Sequence, residues 1–252
     1  MEFEDHYSVL AESYARSRPS YPPELFTWLA SVIERRELAW DVGTGSGQVA
    51  AALTAIVERV VATDASADQL ARAPRVDCVE YRHEPAHRVS LPDRSVDLIT
   101  AGAAAHWFEL DGFYREVQRV GREGAVIALF SYGPRDFADA CTELLGTPVV
   151  QRLNDELLGP LWPEKIERVH DRYASLPFPF EEIAAPPLAM SAAWNLEELI
   201  AFLETWSAAQ RYLEQFGKRA TGEIAGELAR AWGDPAIRRE IRFPLFVRAG
   251  RV

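Results

Sequence analysis

In the stretch Asp41-Val-Gly-Thr-Gly-Ser-Gly47 three glycines fall within five residues, directly after the apolar run Leu38–Val42 and before the helix-favouring run Gln48–Ile56. Strand, glycine turn and helix in that order let a nucleotide-like ligand lie against the main chain. Glycine tolerates the tight turn and puts no side chain in the ligand's way. Asp41 precedes the first glycine by two residues, and the next apolar run, Arg59–Thr63, ends at Asp64. A carboxylate at that strand end is placed to accept both hydroxyls of a ribose; a helix cap or turn is the plain structural alternative. Dinucleotide sites space their glycines G-x-G-x-x-G. Here Gly47 comes one residue early and Gln48 holds the expected place. The spacing disfavours NAD.

Outward from the turn, strands and helices alternate. Leu25, Trp28, Leu29, Val32 and Ile33 share one helical face, which predicts a helix over Pro22–Arg35 opened by prolines. Ser66 can cap a short helix through Ala73. Cys78–Arg82, Val96–Ala101 and Ala125–Ser131 read as further strands, with a helix near Asp111–Val120. Repeated βα units imply an α/β fold, a parallel doubly wound sheet with helices on both sides. Residues 134–177 interrupt the pattern with Pro148, Pro160, Pro163 and Pro177. They read as a helical cover inserted in one domain spanning 1–252. Asn195-x-x-Glu198 predicts a capping box. Ile241–Arg248 reads as extended, and its Pro244 suits an edge or a strand start better than a central position.

Composition narrows the function classes. A net charge of −11 over 252 residues, with arginines scattered among carboxylates, argues against nucleic acid and for a small-molecule partner. Two cysteines without paired spacing point to a reducing compartment, no apolar run is long enough for a membrane span, and the start Met1–His6 is acidic rather than signal-like. A cytoplasmic protein, monomer or homodimer, is expected.

Several stretches are shared with a known family: Tyr14-Ala-Arg-Ser-Arg18-Pro-Ser-Tyr21-Pro22, Leu91-Pro-Asp-Arg-Ser-Val-Asp97, Ala105-His106-Trp107-Phe108, Leu161-Trp-Pro-Glu164 and Arg242-Phe-Pro-Leu-Phe-Val-Arg248. With Asp41–Gly47 as motif I, the chain resembles the class I S-adenosylmethionine-dependent methyltransferases, within them the group containing trans-aconitate methyltransferase (methyltransferase type 11). The resemblance implies a Rossmann-like seven-stranded sheet whose last two strands form an antiparallel hairpin. It also implies S-adenosylmethionine as cofactor. Asp41, Gly43, Gly45 and Gly47 would lie beside its methionine part, Asp64 on the ribose, and Ala65 and Ser66 beside the adenine. Gly102, at the end of the fourth strand, would join them. Relatives usually carry Ala followed by Glu or Asp before that strand, to receive the adenine amino group. This chain has Ala86-His87, so an imidazole replaces the carboxylate.

Methyl transfer from a sulfonium is an in-line displacement in which positive charge disappears, so the protein's task is to align the partners and exclude water. A carboxylate acceptor needs only cations or donors to hold it, whereas a hydroxyl or amine needs a base. The acceptor expected is a small polar molecule such as a carboxylate. His106, just past the fourth strand, is the candidate for acceptor binding or base, with a structural imidazole as the alternative. Tyr21 joins it as a catalytic candidate and, with Arg18, would form the flap the resemblance suggests, a proline-fixed turn docking the first helix being the alternative. Trp107, Trp162, Arg168 and Tyr173 are candidates for the acceptor pocket along with Arg18, packing being the alternative for each. His6, His83 and His170 have no ligand spacing, and no metal site is read. Two rival functions stay open: a non-catalytic binder of S-adenosylmethionine or a metabolite, and an NAD-linked oxidoreductase.

Overall fold

Pro22 is extended (ψ 141°) and Pro23 stands at the first helical position, where a missing N–H costs nothing, so the first described helix starts there. A computed structural model describes residues 19–252; Arg18 and the stretch before it lie outside the described residues. In chain order the elements are α1 (Pro23–Val32), β1 (Leu38–Val42), α2 (Gln48–Leu53), β2 (Arg59–Asp64), α3 (Ala67–Leu70), β3 (Val79–His83), β4 (Val96–Gly102), α4 (Leu110–Val120) and β5 (Gly121–Ser131). There follow α5 (Pro134–Leu145), α6 (Val149–Arg152), α7 (Glu167–His170), β6 (Glu181–Ile183), β7 (Leu188–Trp194), α8 (Leu196–Glu204), α9 (Ser207–Phe216), α10 (Ala220–Trp232) and β8 (Arg239–Arg251).

The sheet runs β3-β2-β1-β4-β5-β8-β6, with β7 also paired to β8. The first five strands are parallel, and every residue of β1 is buried, as expected of a strand covered on both faces. β8 is antiparallel to β5 through Phe246–Arg251 and to β7 through Arg239–Leu245. The Rossmann-like sheet is as expected, with two refinements. β6 and β7 together take the place of one strand, and α8, α9 and α10 join them to β8 where a hairpin turn was anticipated. Pro244 pairs only with Ala189 of β7, because β5 begins its pairing at Phe246. The strand is therefore an edge at the proline and central beyond it, which is where a missing N–H can be accommodated.

Two cores cover the faces. One holds Leu25 and Leu29 of α1, Val49 and Leu53 of α2, Phe137 of α5, and Leu199, Phe202 and Leu203 of α8. The other holds Phe113, Val117 and Val120 of α4 with Ile166, Val169, Tyr173 and Leu176. Each fully buried α4 side chain contributes roughly 1.5–3 kcal/mol of apolar burial. The segment between β5 and β6 thus starts in one core and ends in the other, crossing the carboxyl edge of the sheet. Trp162 packs against both. Among the described residues no helix is long and apolar enough to cross a membrane.

Candidate active site

Gly43, Gly45 and Gly47 all take positive φ, +65°, +55° and +78°. A side chain on two of them would strike the protein itself: a Cβ on Gly43 would lie 2.7 Å from Ala104 Cβ, and one on Gly47 2.6 Å from the Tyr81 hydroxyl. Gly45 differs. A Cβ there would meet nothing nearer than Gln69 Oε1 at 4.0 Å, so its open side is the cradle in which a ligand can touch main chain.

Two carboxylates bracket this turn. Asp41 is buried, and it accepts hydrogen bonds from Thr44 Oγ1 (2.6 Å) and Thr100 Oγ1 (2.7 Å). Burial pushes its pKa up to about 6 against the lowering effect of those hydroxyls, with Asp64 adding repulsion. Asp64 accepts from the Gly45 N–H at 2.8 Å and from the Ser66 N–H at 2.8 Å. A ribose diol at this carboxylate would donate beside those two N–H groups. Two neighbouring carboxylates favour a cationic ligand, and a sulfonium with an α-ammonium fits.

Of the residues expected beside the adenine, Ala65 and His87 are exposed, Ala86 is half-buried, and Ser66 is buried, its hydroxyl accepting from the Gln69 N–H to cap α3. His83 pairs with Asp64 across β2 and β3, and its Nε2 donates to the Ala65 carbonyl at 2.9 Å. The His87 Cβ lies 2.7 Å from where a Gly112 Cβ would stand, so His87 is anchored at its Cβ against the first turn of α4. Gly102 ends β4 under Tyr21, whose hydroxyl is 3.0 Å from the position of a Gly102 Cβ; the Tyr21 ring meets Phe130 edge-on at 5.1 Å. Gln48 Nε2 holds the Pro19 carbonyl at 3.1 Å, which seats the segment before α1 over the glycine turn.

His106 sits on a short turn after β4, buried to 5% exposure, and lines a cleft over the carboxyl ends of β4 and β5. Trp107 and Trp162 share the lining with Ser131, Tyr132, Phe137, Phe202, Thr205 and Trp206. Tyr173, expected in the pocket wall, is instead wholly buried behind His106, its hydroxyl 3.0 Å from Nδ1. Lys165 Nζ donates to the Trp107 carbonyl (3.2 Å) and Arg168 Nη1 to the His106 carbonyl (3.1 Å), so both cations tie the insertion to the β4 turn. Ser131 and Tyr132 were within reach of sequence reasoning, since they end β5 at the edge where such sheets bind ligands. Phe202 and Trp206 were not, because only the tertiary path of α8 and α9 brings them there. No cluster of metal ligands occurs among the described residues.

A methyltransferase domain family matches residues 40–129. A solved structure described as a type II methyltransferase from Anaeromyxobacter dehalogenans superposes with a TM-score of 0.82 at 40% identity, covering 93% of this chain and 97% of that one. A Dictyostelium discoideum chain described as a methyltransferase is 29% identical over 98% of this chain and 94% of its own. An uncharacterised methyltransferase of Mycobacterium tuberculosis is 38% identical over 46% of this chain and 48% of its own. The first likeness spans nearly the whole of both chains, and the matched family begins one residue before Asp41: the chain belongs to the class I S-adenosylmethionine-dependent methyltransferases.

Proposed function

We propose that this methyltransferase acts on a small acceptor with a flat, largely apolar body, whose polar reacting group is presented beside His106. The observation that carries this is the cleft wall: Trp107, Trp162, Trp206, Phe137 and Phe202 line it, and no charged side chain does among the described residues. Flat rings are bound well by such walls through area and stacking. A carboxylate on that body, the group expected from the resemblance to trans-aconitate methyltransferase, would be met by the hydroxyl of Ser207 and by the imidazole. A compact polycarboxylate would leave the aromatic wall unused. The acceptor's lone pair forms the bond to the methyl carbon while the carbon–sulfur pair returns to sulfur, and a carboxylate loses no proton in doing so.

The turn Ala103–Phe108 joins the two halves of the site, since Gly43 packs on Ala104 and Phe108 while His106 faces the cleft. We read residues 134–177 as the cover that keeps water from the transfer, Tyr21 as holding the cofactor's side of the flap, and Asp41, Asp64, Gly45 and the Ala65–Ser66 and Ala86–His87 loops as the cofactor contacts. The acidic net charge supports an acceptor other than nucleic acid, and the unpaired Cys78 and Cys141 fit a reducing compartment. Labelled methyl transfer to a panel of aromatic acids, phenols and amines, set beside open-chain di- and tricarboxylates, tests the reading. Transfer to flat members, with KM raised at least tenfold in Trp206→Ala, is expected. Transfer to the open-chain acids alone would overturn it.

A further inference from the structure

Tyr173 belongs to the inserted segment, yet its phenol ends against the catalytic turn. It is placed there by a strained bend. Arg172 and Tyr173 both hold positive φ, +56° and +64°, a conformation unfavourable for residues with a Cβ. The Tyr173 N–H closes the bend on the Arg168 carbonyl at 2.7 Å. From β8, Arg248 Nη1 donates to the carbonyls of Tyr173 and Leu176, both at 2.7 Å. Strain at a buried residue persists only where the surroundings over-determine it, and it concentrates where a side chain must be aimed. The aimed atom is the Tyr173 hydroxyl, 3.0 Å from His106 Nδ1.

We propose that Tyr173 is a positioning residue that donates its O–H to His106 Nδ1 and thereby fixes the neutral imidazole as the tautomer bearing its proton on Nε2. The inference rests on the reading of the cleft as the acceptor site. Three observations support it. The ring is wholly buried and meets Phe246 edge-on at 5.0 Å, so the phenol keeps its proton, and a buried O–H must be donated to something. An imidazole nitrogen is a far stronger base than a phenol oxygen, so of the two ways to arrange one proton between them, O–H to N is favoured. Ser131, at the end of β5, is hydrogen-bonded to the phenol oxygen and can supply a donor there, leaving the phenol's own proton for Nδ1. His106 Nε2 then carries a proton and has no lone pair to take another. Its role is to orient an oxygen of the acceptor, which favours carboxylates, phenolates and other oxygen nucleophiles that reach the site without a proton to lose.

The test reads the ring nitrogens directly. The full chain, labelled with nitrogen-15 histidine and saturated with S-adenosylhomocysteine, is examined by long-range proton–nitrogen correlation, with His106→Gln assigning the signal among the five histidines. A bare Nδ1 and a protonated Nε2 at His106 are expected. Tyr173→Phe should move both resonances toward the averaged values of exchanging tautomers and leave the other histidines in place. A protonated Nδ1 with a bare Nε2 in the wild type would overturn the proposal, as would a Tyr173→Phe spectrum unchanged at His106. If Tyr173→Phe does not fold, the wild-type spectrum decides alone. The acceptor reading fails separately: flat acceptors then take no methyl group while the tautomer, measured without any acceptor, is as proposed.

Discussion

Asp41 enters the unliganded protein with its pKa pushed up to about 6, chiefly by burial. Because the folded value lies above the unfolded one, Asp41 in its ionised form disfavours folding. Its contribution is most favourable below about pH 4 and is lost as pH rises through about 6, by on the order of 3 kcal/mol at neutral pH. A cationic ligand reverses the balance by favouring the carboxylate. S-adenosylmethionine should therefore bind more tightly as pH rises from 5 to 7, with proton release measurable by calorimetry in two buffers. Asp41→Asn should flatten that dependence and weaken binding about tenfold at pH 7; a wild-type affinity independent of pH over this range would refute the account. The glycines separate by the same kind of reasoning. Gly47→Ala forces a methyl group into Tyr81 at positive φ and should cost at least about 2 kcal/mol of stability. Gly45→Val, whose side chain would enter the open space of the proposed cradle, should lose cofactor affinity at least tenfold while stability falls by only the backbone strain, about 1–2 kcal/mol.

At the scale of elements, local chemistry was legible where it acted within a few residues. Ser66 and Asn195 cap the helices they precede, and the box closes with the Glu198 N–H donating to Asn195 Oδ1 and the Asn195 N–H to Glu198 Oε2, both at 2.9 Å. Asn195→Ala should destabilise the chain by about 1 kcal/mol, seen as a lower urea midpoint with an unchanged slope, and leave cofactor affinity untouched. Boundaries were less legible. The apolar face of α1 continues to Ile33, but the backbone turns extended there (ψ 136°), so the helix ends at Val32, short of Arg35. The split of one strand into β6 and β7 leaves no mark in local pattern, because it follows from how two segments share β8. The proposed cofactor half of the site, Tyr21 apart, lies within Asp41–Ala105 and can be read in order along the chain. The acceptor half draws on positions from 103 to 207, and Tyr173 in particular reads as one more aromatic until the bend shows where it is aimed.

For the molecule as a whole, the cofactor turn sits on the parallel half of the sheet and the acceptor wall is completed by α8 and α9, after the chain has crossed from one core to the other. A ligand that binds only the folded chain adds RT ln(1 + [L]/Kd), about 2.7 kcal/mol at a hundredfold excess over Kd. Spread over a domain of this size, that is a rise of about 5–10 °C in the unfolding midpoint. S-adenosylmethionine and S-adenosylhomocysteine should each produce it, and NAD at the same excess should not, since Gly47 comes one residue early for a dinucleotide turn. Repeating the scan below pH 5 adds the control, because Asp41 is then protonated in the unliganded protein. The shift from S-adenosylmethionine should shrink by at least half at equal concentration, while the unliganded midpoint changes by whatever the remaining carboxylates dictate. A shift of equal size at pH 5 and pH 7 would mean that the ligand does not draw on the buried carboxylate, and that the turn holds it through main-chain contact alone.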